Sequence, residues 1–309
     1  MGMFSKESDG GAFTPLSLKM IWQLAAPHTW PAAIMPVLLA VGLAAATTGR
    51  LSAPMAVLLL VICILMQSSV NTFNDYFDFV KGADSADDNV EVSDAVLVHN
   101  KVNPKAVLAT AIALLVAAFL LGIIVIVHAG WIPLVIALVG AVIVVAYSGG
   151  RTPLSYLPVG EAVSGIVMGG LMPLACYQVL AGALDFTVLI WALPTMIGIG
   201  LIMMTNNTCD IEKDAAVGRR TLPVLIGRPR ARQLYHGLMI AWVVAIIVVV
   251  RLWFPTGFVI VPFMVLAAFP LMGALWKNPL IGSTRIGAMG QIASVNVALG
   301  AFYAAALML

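Results

Sequence analysis

Two short stretches of this chain carry oxygen-bearing side chains at helical spacing. Asn74, Asp75 and Asp78 fall at i, i+1 and i+4, so a helix stacks Asn74 over Asp78 with Asp75 beside them. Asn206 and Asp210 repeat the i, i+4 interval, and Asp214 adds one more turn on the same face. Each stretch closes a long apolar segment. Seven carboxylates lie between Asp75 and Asp94, in a protein that is only 10% charged. A charge cluster at a helix end is ordinarily a solvated loop, but the repeated Asn-x-x-x-Asp spacing points to two halves of one site.

The chemistry open to such a site follows from the side chains. Oxygen ligands at helix C-termini, where the dipole is already negative, call for a cation. Mg²⁺ suits them, because it uses one or two carboxylates together with substrate phosphates. Two facing patches would hold two Mg²⁺ ions on either side of a diphosphate, with Arg219, Arg220 and Lys81 taking the remaining phosphate oxygens. Beneath apolar helices, that diphosphate would head a lipid chain. Metal coordination stabilises departing diphosphate charge, an allylic chain can ionise, and an electron-rich acceptor can attack it. The residues alone do not identify the acceptor.

The elements that must position these residues are membrane helices. The chain is 61% hydrophobic with a mean hydropathy of +1.03, outside the range of soluble domains. Nine apolar runs are long enough to span a bilayer, at roughly 30–48, 55–74, 105–127, 131–147, 159–181, 186–206, 234–252, 257–275 and 287–308. The expected fold is all-α and polytopic, a single domain over 1–309 with a polar tail at 1–16. That tail lacks the apolar core and cleavage site of a signal peptide, and residues 17–27 suit the membrane interface. With the N-terminus cytoplasmic, fourteen of the sixteen Lys and Arg residues fall inside and only Arg50 and Arg251 outside. The C-terminus is then outside, and both patches lie on the cytoplasmic side of the cell membrane. Membrane lipid is the expected surroundings, and no nucleic-acid partner is expected. Cys63, Cys176 and Cys209 form neither a disulfide framework nor a metal spacing.

Other residues near the patches are candidates for substrate contact. His28, before the first span, lies on the carboxylate side, although a lone interfacial histidine is more often structural. Tyr147 and Arg151 belong to the Gly/Pro-rich connection after the fourth span. Glu161 opens the fifth span, where a carboxylate serves equally as a cap or as a working group. Gly165, Gly169 and Gly170 would let neighbouring helices approach closely. The stretch Val96–Lys101, ending the long polar loop after the first patch, suits a lid.

At these residues the chain resembles the UbiA-type membrane prenyltransferases, and within them the branch that acts on 1,4-dihydroxy-2-naphthoate. The resemblance rests on Asn74-Asp75-Tyr76-Phe77-Asp78 with Lys81-Gly82-Ala83-Asp84, and on Tyr147-Ser148-Gly149-Gly150 with Pro153 and Gly160-Glu161. Asn206-Asn207 to Asp210 and Asp214, Gly218-Arg219-Arg220-Thr221-Leu222 and Leu225-Ile226-Gly227 complete it. It implies nine spans, with Asn74, Asp78, Asp210 and Asp214 holding Mg²⁺ and Asp84 and Asn206 completing the ligand set. Asp75, Asp78, Asp210 and Asp214 would be the catalytic carboxylates. A polyprenyl diphosphate would alkylate the naphthoate at its carboxylate-bearing carbon with loss of CO₂, giving demethylmenaquinone. Two departures stand out. Ala26 occupies a position where the family usually has Arg, leaving His28 as a substitute, and the loop Asp88–Asp94 carries no arginine. The competing acceptors are 4-hydroxybenzoate and haem. A reading of another class is a cation-coupled transporter built on a parallel repeat, against which the far side of the chain offers no matching polar groups. A CDP-alcohol phosphotransferase would need one continuous Asp-Gly-x-x-Ala-Arg run, which this chain lacks.

Overall fold

The computed structural model describes residues 13–81, 96–148 and 153–309, and among these every regular element is helical. In chain order the helices are α1 (Leu18–Leu24), α2 (Pro31–Thr48), α3 (Ala53–Lys81), α4 (Val96–His99), α5 (Pro104–Ala129) and α6 (Ile132–Ser148). They continue as α7 (Gly160–Ile166), α8 (Met172–Ala181), α9 (Thr187–Trp191), α10 (Leu193–Cys209), α11 (Ile211–Ala216) and α12 (Leu222–Ile226). The chain closes with α13 (Arg228–Trp253), α14 (Val261–Lys277) and α15 (Arg285–Leu307).

Local sequence sets many of the boundaries. Pro31, Pro104 and Pro223 sit in first turns, where a missing N–H costs nothing. Ser17 and Asn103 cap α1 and α5 by accepting from Met20 N and Lys105 N. Gly49 and Gly182 end α2 and α8 in the left-handed conformation.

Seven helical segments among the described residues are long and apolar enough to cross a membrane. The other two expected spans are helical but shorter: α6 and α10 have 17 residues each. The run expected at 186–206 is broken at Ala192 into α9 and α10. The segment from Gly160 to Ala181 is one rod interrupted by a π turn at Val167–Leu171. α3 runs beyond the expected end of its span to Lys81, so Asn74 to Asp78 are helical.

Packing places α10 in the interior. It contacts α7, α13 and α15, while α2 lies between α15, α8 and α3. The expected close approach at the glycines is present. A Cβ on Gly165 would stand 2.5 Å from Met196 O, and one on Gly169 2.5 Å from Met196 Cα, so α7 and the π turn meet α10 backbone to backbone. By contrast α5 exposes Leu120, Ile123, Ile124 and Val127, as a lipid-facing helix must.

A second, smaller apolar cluster lies apart from this core. Leu24, Val96, Leu97, Val102 and Val107 are buried together, with Leu16, Met20 and Tyr76 against them. It joins α1 and α4 to the end of α3, and Thr14 N donates to Lys101 O at 2.7 Å. α1 leaves Leu18 and Trp22 exposed, as an interfacial helix would.

Candidate active site

Both motifs open onto one cavity of about 350 Å³. One wall is the end of α3, which presents Asn74, Asp75 and Asp78 together with Gln67 and Asn71. These residues recur at helical spacing, so one face of α3 carries the polar groups. Asn71 Nδ2 donates to Thr29 Oγ1 at 2.8 Å and to Ala25 O at 3.0 Å, and Trp30 Nε1 donates to Ser68 Oγ at 3.1 Å. These bonds fasten the entry of α2 to α3 and bring His28 to the cavity rim, beside Ala26 in its left-handed conformation (φ 45°).

The opposite wall is the junction of α10 and α11. Asp210 ends α10 with non-helical dihedrals (φ −98°, ψ 17°), yet its N–H still reaches Asn206 O at 3.1 Å and its carbonyl accepts from Asp214 N at 2.8 Å. The helical phase therefore carries through the bend, and Asn206, Asp210 and Asp214 all line the cavity. Arg219 Nη1 lies 3.3 Å from Asp214 Oδ1, and its guanidinium sits 4.9 Å from the centre of the Tyr156 ring, within electrostatic reach of Asp78. Burial pushes both Asp210 and Asp214 above the usual aspartate value of 3.8, against the opposing pull of Arg285 and Arg219 respectively. Two anionic groups held there without full solvation favour a cation close by.

Deeper in, the lining turns apolar: Ile143, Val163, Val167, Met168, Ile199 and Met203. Tyr147, hydrogen-bonded to Ser164, stands between the polar and apolar parts. Val167 and Met168 come from the π turn, a device common where a helix wall must bulge at a functional site.

The structure thus gathers His28, Asn74, Asp75, Asp78, Tyr147, Asn206, Asp210, Asp214 and Arg219 around one space. Arg220 is elsewhere: it is exposed, absent from the lining, and donates its backbone N–H to Tyr156 O. Lys81 is the last residue of α3, and its side chain is outside the described part of the structure. Asp84 and Arg151 lie outside the described residues. Asp75 also has structural work, since its buried carboxylate accepts from Val96 N at 2.6 Å and Leu97 N at 3.2 Å. Glu161, the first-turn acid of α7, is buried and accepts from Asn207 Nδ2 at 2.8 Å through Oε1, while Oε2 has no partner.

Among the lining residues that the sequence did not single out, Arg285 is the one that holds two residues of the second motif. Arg285, counted in the sequence only as a cytoplasmic anchor, donates through Nε to Asp210 Oδ2 at 3.1 Å and through Nη2 to Asn206 Oδ1 at 2.6 Å. Its signal was positional: a cation at the first residue of a helix opposes the dipole and needs a local reason.

The donor set fits magnesium. Among the described residues no three His, Cys, Asp or Glu side chains converge into a ready-made cage. Mg²⁺ does not need one, since it keeps waters and shares its shell with substrate phosphates. Asn74, Asp78, Asn206, Asp210 and Asp214 line a common cavity, and their side-chain oxygens are of the type such an ion takes.

An all-helical, largely apolar bundle with one polar-mouthed, apolar-floored cavity is a membrane-embedded protein. The chain belongs to the UbiA prenyltransferase family, whose model matches residues 33–281, and is a prenyl-transferring enzyme. It is 33% identical over 233 residues to 1,4-dihydroxy-2-naphthoate octaprenyltransferase of Bacillus subtilis (strain 168), covering 74% of each chain. It is 30% identical over 268 residues to the Mycobacterium tuberculosis protein of the same name, covering 84% of this chain and 89% of the other. In fold it is similar to a UbiA homolog from Archaeoglobus fulgidus bound to GPP and Mg²⁺, at a TM-score of 0.64 and 18% identity, covering 94% of this chain and 99% of that one. It is also similar to the apo UbiA homolog from Aeropyrum pernix K1, at a TM-score of 0.59 and 15% identity over 94% and 97%.

Proposed function

We propose that this protein transfers a polyprenyl chain from polyprenyl diphosphate to 1,4-dihydroxy-2-naphthoate. The observation that carries the reading is the pair of Asn-x-x-x-Asp faces across one cavity whose floor is apolar. The relatives' shared name supports the acceptor, and the Mg²⁺- and prenyl diphosphate-bound neighbours support the cofactor and donor. The chain acts as a single domain with nine crossings, N-terminus cytoplasmic and C-terminus outside, placing the cavity mouth on the cytoplasmic side.

Asn74 and Asp78 on one wall, and Asn206, Asp210 and Asp214 on the other, would hold two Mg²⁺ ions, whose charge would stabilise the departing diphosphate. The protein requires such help. The described lining brings four carboxylates (Asp75, Asp78, Asp210, Asp214) against three cations (Lys213, Arg219, Arg285), so it is net negative toward an anionic substrate. Arg219 supplies donors to the phosphate oxygens. Ile143, Val167, Ile199 and Met203 hold the prenyl chain and keep water from its reactive carbon. Tyr147, which lines the cavity beside both environments, would contact the allylic chain or the acceptor ring. Attack by the electron-rich ring forms a carbon–carbon bond as the carbon–oxygen bond to diphosphate breaks. The ring then loses CO₂, giving demethylmenaquinone in its quinol form.

The test uses protein purified in detergent with a polyprenyl diphosphate and 1,4-dihydroxy-2-naphthoate, with and without Mg²⁺. Mg²⁺-dependent product lacking the mass of CO₂ is expected. Product only with 4-hydroxybenzoate or haem would move the acceptor and leave the mechanism. No product with any acceptor, and no binding of the diphosphate, would overturn the reading.

A further inference from the structure

Arg285 has features that anchoring at a membrane surface does not explain. It is 8% exposed, begins α15 at the electrostatically unfavourable end, and lines the cavity. Burying a guanidinium is costly unless its donors are satisfied, yet Nη1 is buried without a partner. The two donors in use, Nε and Nη2, form one edge of the planar fork and hold Asp210 and Asn206. What remains is the end-on edge, Nη1 with the second hydrogen of Nη2. That edge matches two oxygens of a phosphoryl group.

We propose that Arg285 is a diphosphate-binding residue contributed by the last helix. One edge of its guanidinium positions Asn206 and Asp210, and the other receives a phosphate oxygen pair. The inference rests on the diphosphate reading above and adds a residue to it. Arg219 faces the neighbouring carboxylate, Asp214, in a similar way, with its Nε also buried and unpartnered. The α10–α11 wall would thus meet its substrate with two guanidinium groups, each already braced by a carboxylate of the motif. Bracing matters because a long side chain held in place loses less entropy on binding than a free one.

Two roles must be separated, a direct handhold and a brace that merely keeps Asp210 in place. The experiment is calorimetric titration of geranyl diphosphate, without acceptor, into wild type, Arg285→Gln and Arg285→Lys, in Mg²⁺ and again in EDTA. Melting temperatures are recorded alongside. A brace acts through Asp210, and so through the metal; a handhold acts with or without it. Arg285→Gln is expected to weaken binding about tenfold or more in each condition where wild type binds. Arg285→Lys keeps a charge beside Asp210 and guards against a folding defect. It is expected to recover only part of the loss, because an ammonium lacks the second parallel donor. Weakening in Mg²⁺ with none in EDTA would reduce Arg285 to a brace and overturn the proposal, as would unchanged binding in both. Where wild type binds in Mg²⁺ alone, as the net negative lining predicts, a Mg²⁺ titration separates the roles: recovery of Arg285→Gln at saturating Mg²⁺ would overturn the proposal, and binding that stays weak there supports it. Wild type that binds in neither would defeat the diphosphate reading itself, an outcome distinct from the others.

Discussion

Asp75 allows a residue expected in the chemistry to be tested for a different duty. Its carboxylate accepts the backbone N–H groups of Val96 and Leu97, the first two residues of α4, at 2.6 and 3.2 Å. Those N–H groups belong to the unsatisfied first turn of a helix, so Asp75 caps α4 from another element. Val96 and Leu97 are 0% and 3% exposed, which leaves water no easy route to replace the bond. Hydrogen bonds to a charged acceptor are worth about 1.5–3 kcal/mol each. Asp75→Asn keeps one acceptor oxygen and turns an NH₂ toward the other amide, a loss of about 2 kcal/mol. That corresponds to about a 30-fold rise in local opening. Asp75→Ala removes both bonds and costs about 3–6 kcal/mol. The assay is hydrogen exchange with peptide resolution over 96–102, beside prenyl transfer by the same samples. Faster exchange at Val96 and Leu97 in step with lost activity is expected. Unchanged protection in Asp75→Asn with activity abolished would refute the capping role and return Asp75 to the reaction itself.

Three further outcomes are expected. Asp78→Ala and Asp210→Ala should each abolish turnover in a protein that still folds and stays in detergent solution, and normal activity in either would sink the two-walled site. Gly169→Ala places a Cβ 2.5 Å from Met196 Cα, a backbone neighbour that cannot step aside, so a loss of about 1–3 kcal/mol should appear as a lowered melting temperature. Glu212 pairs with Arg228 at 2.6 Å, and the bond holds its carboxyl down from 4.5 to about 2. Its stabilisation is full above 4.5 and lost as pH falls through about 2. Because the Glu212 side chain is 71% exposed, solvent screening leaves Glu212→Gln a cost below about 1 kcal/mol at neutral pH. Thermal melting across pH reads both.

What was legible in the sequence was local. The i, i+4 intervals at Asn74/Asp78 and Asn206/Asp210 depend only on helical pitch, and α3 and α10 deliver them onto a shared cavity. Gly165 and Gly169 were readable as contact points because a missing side chain has few other uses inside an apolar helix. The pairings that complete the site join distant segments. Arg285 meets Asp210 across 75 positions, and no window of the chain displays that relation. Hydropathy put Arg285 at the expected boundary of the last span and for that reason concealed it. Arg220 shows the opposite case: it shares composition and neighbourhood with Arg219, but Gly218, at φ 78°, turns the chain just before the pair. Arg219 then meets Asp214 and lines the cavity, while Arg220 is exposed and does not line it.

The continuity of α3, and of α10 into α11, makes each motif a matter of rotational phase. One residue inserted or deleted in a helix turns everything beyond it by about 100°. An alanine added within the apolar part of α3 would leave span length and hydropathy almost untouched, yet swing Asn74 and Asp78 off the cavity wall. A deletion between Asn206 and Asp214 would do the same to the other wall, with the bend at Asp210 giving no slack to absorb it. Length variation in this chain should therefore be tolerated in the connections and excluded from these two helices, even where the altered residue is lipid-facing and chemically inert.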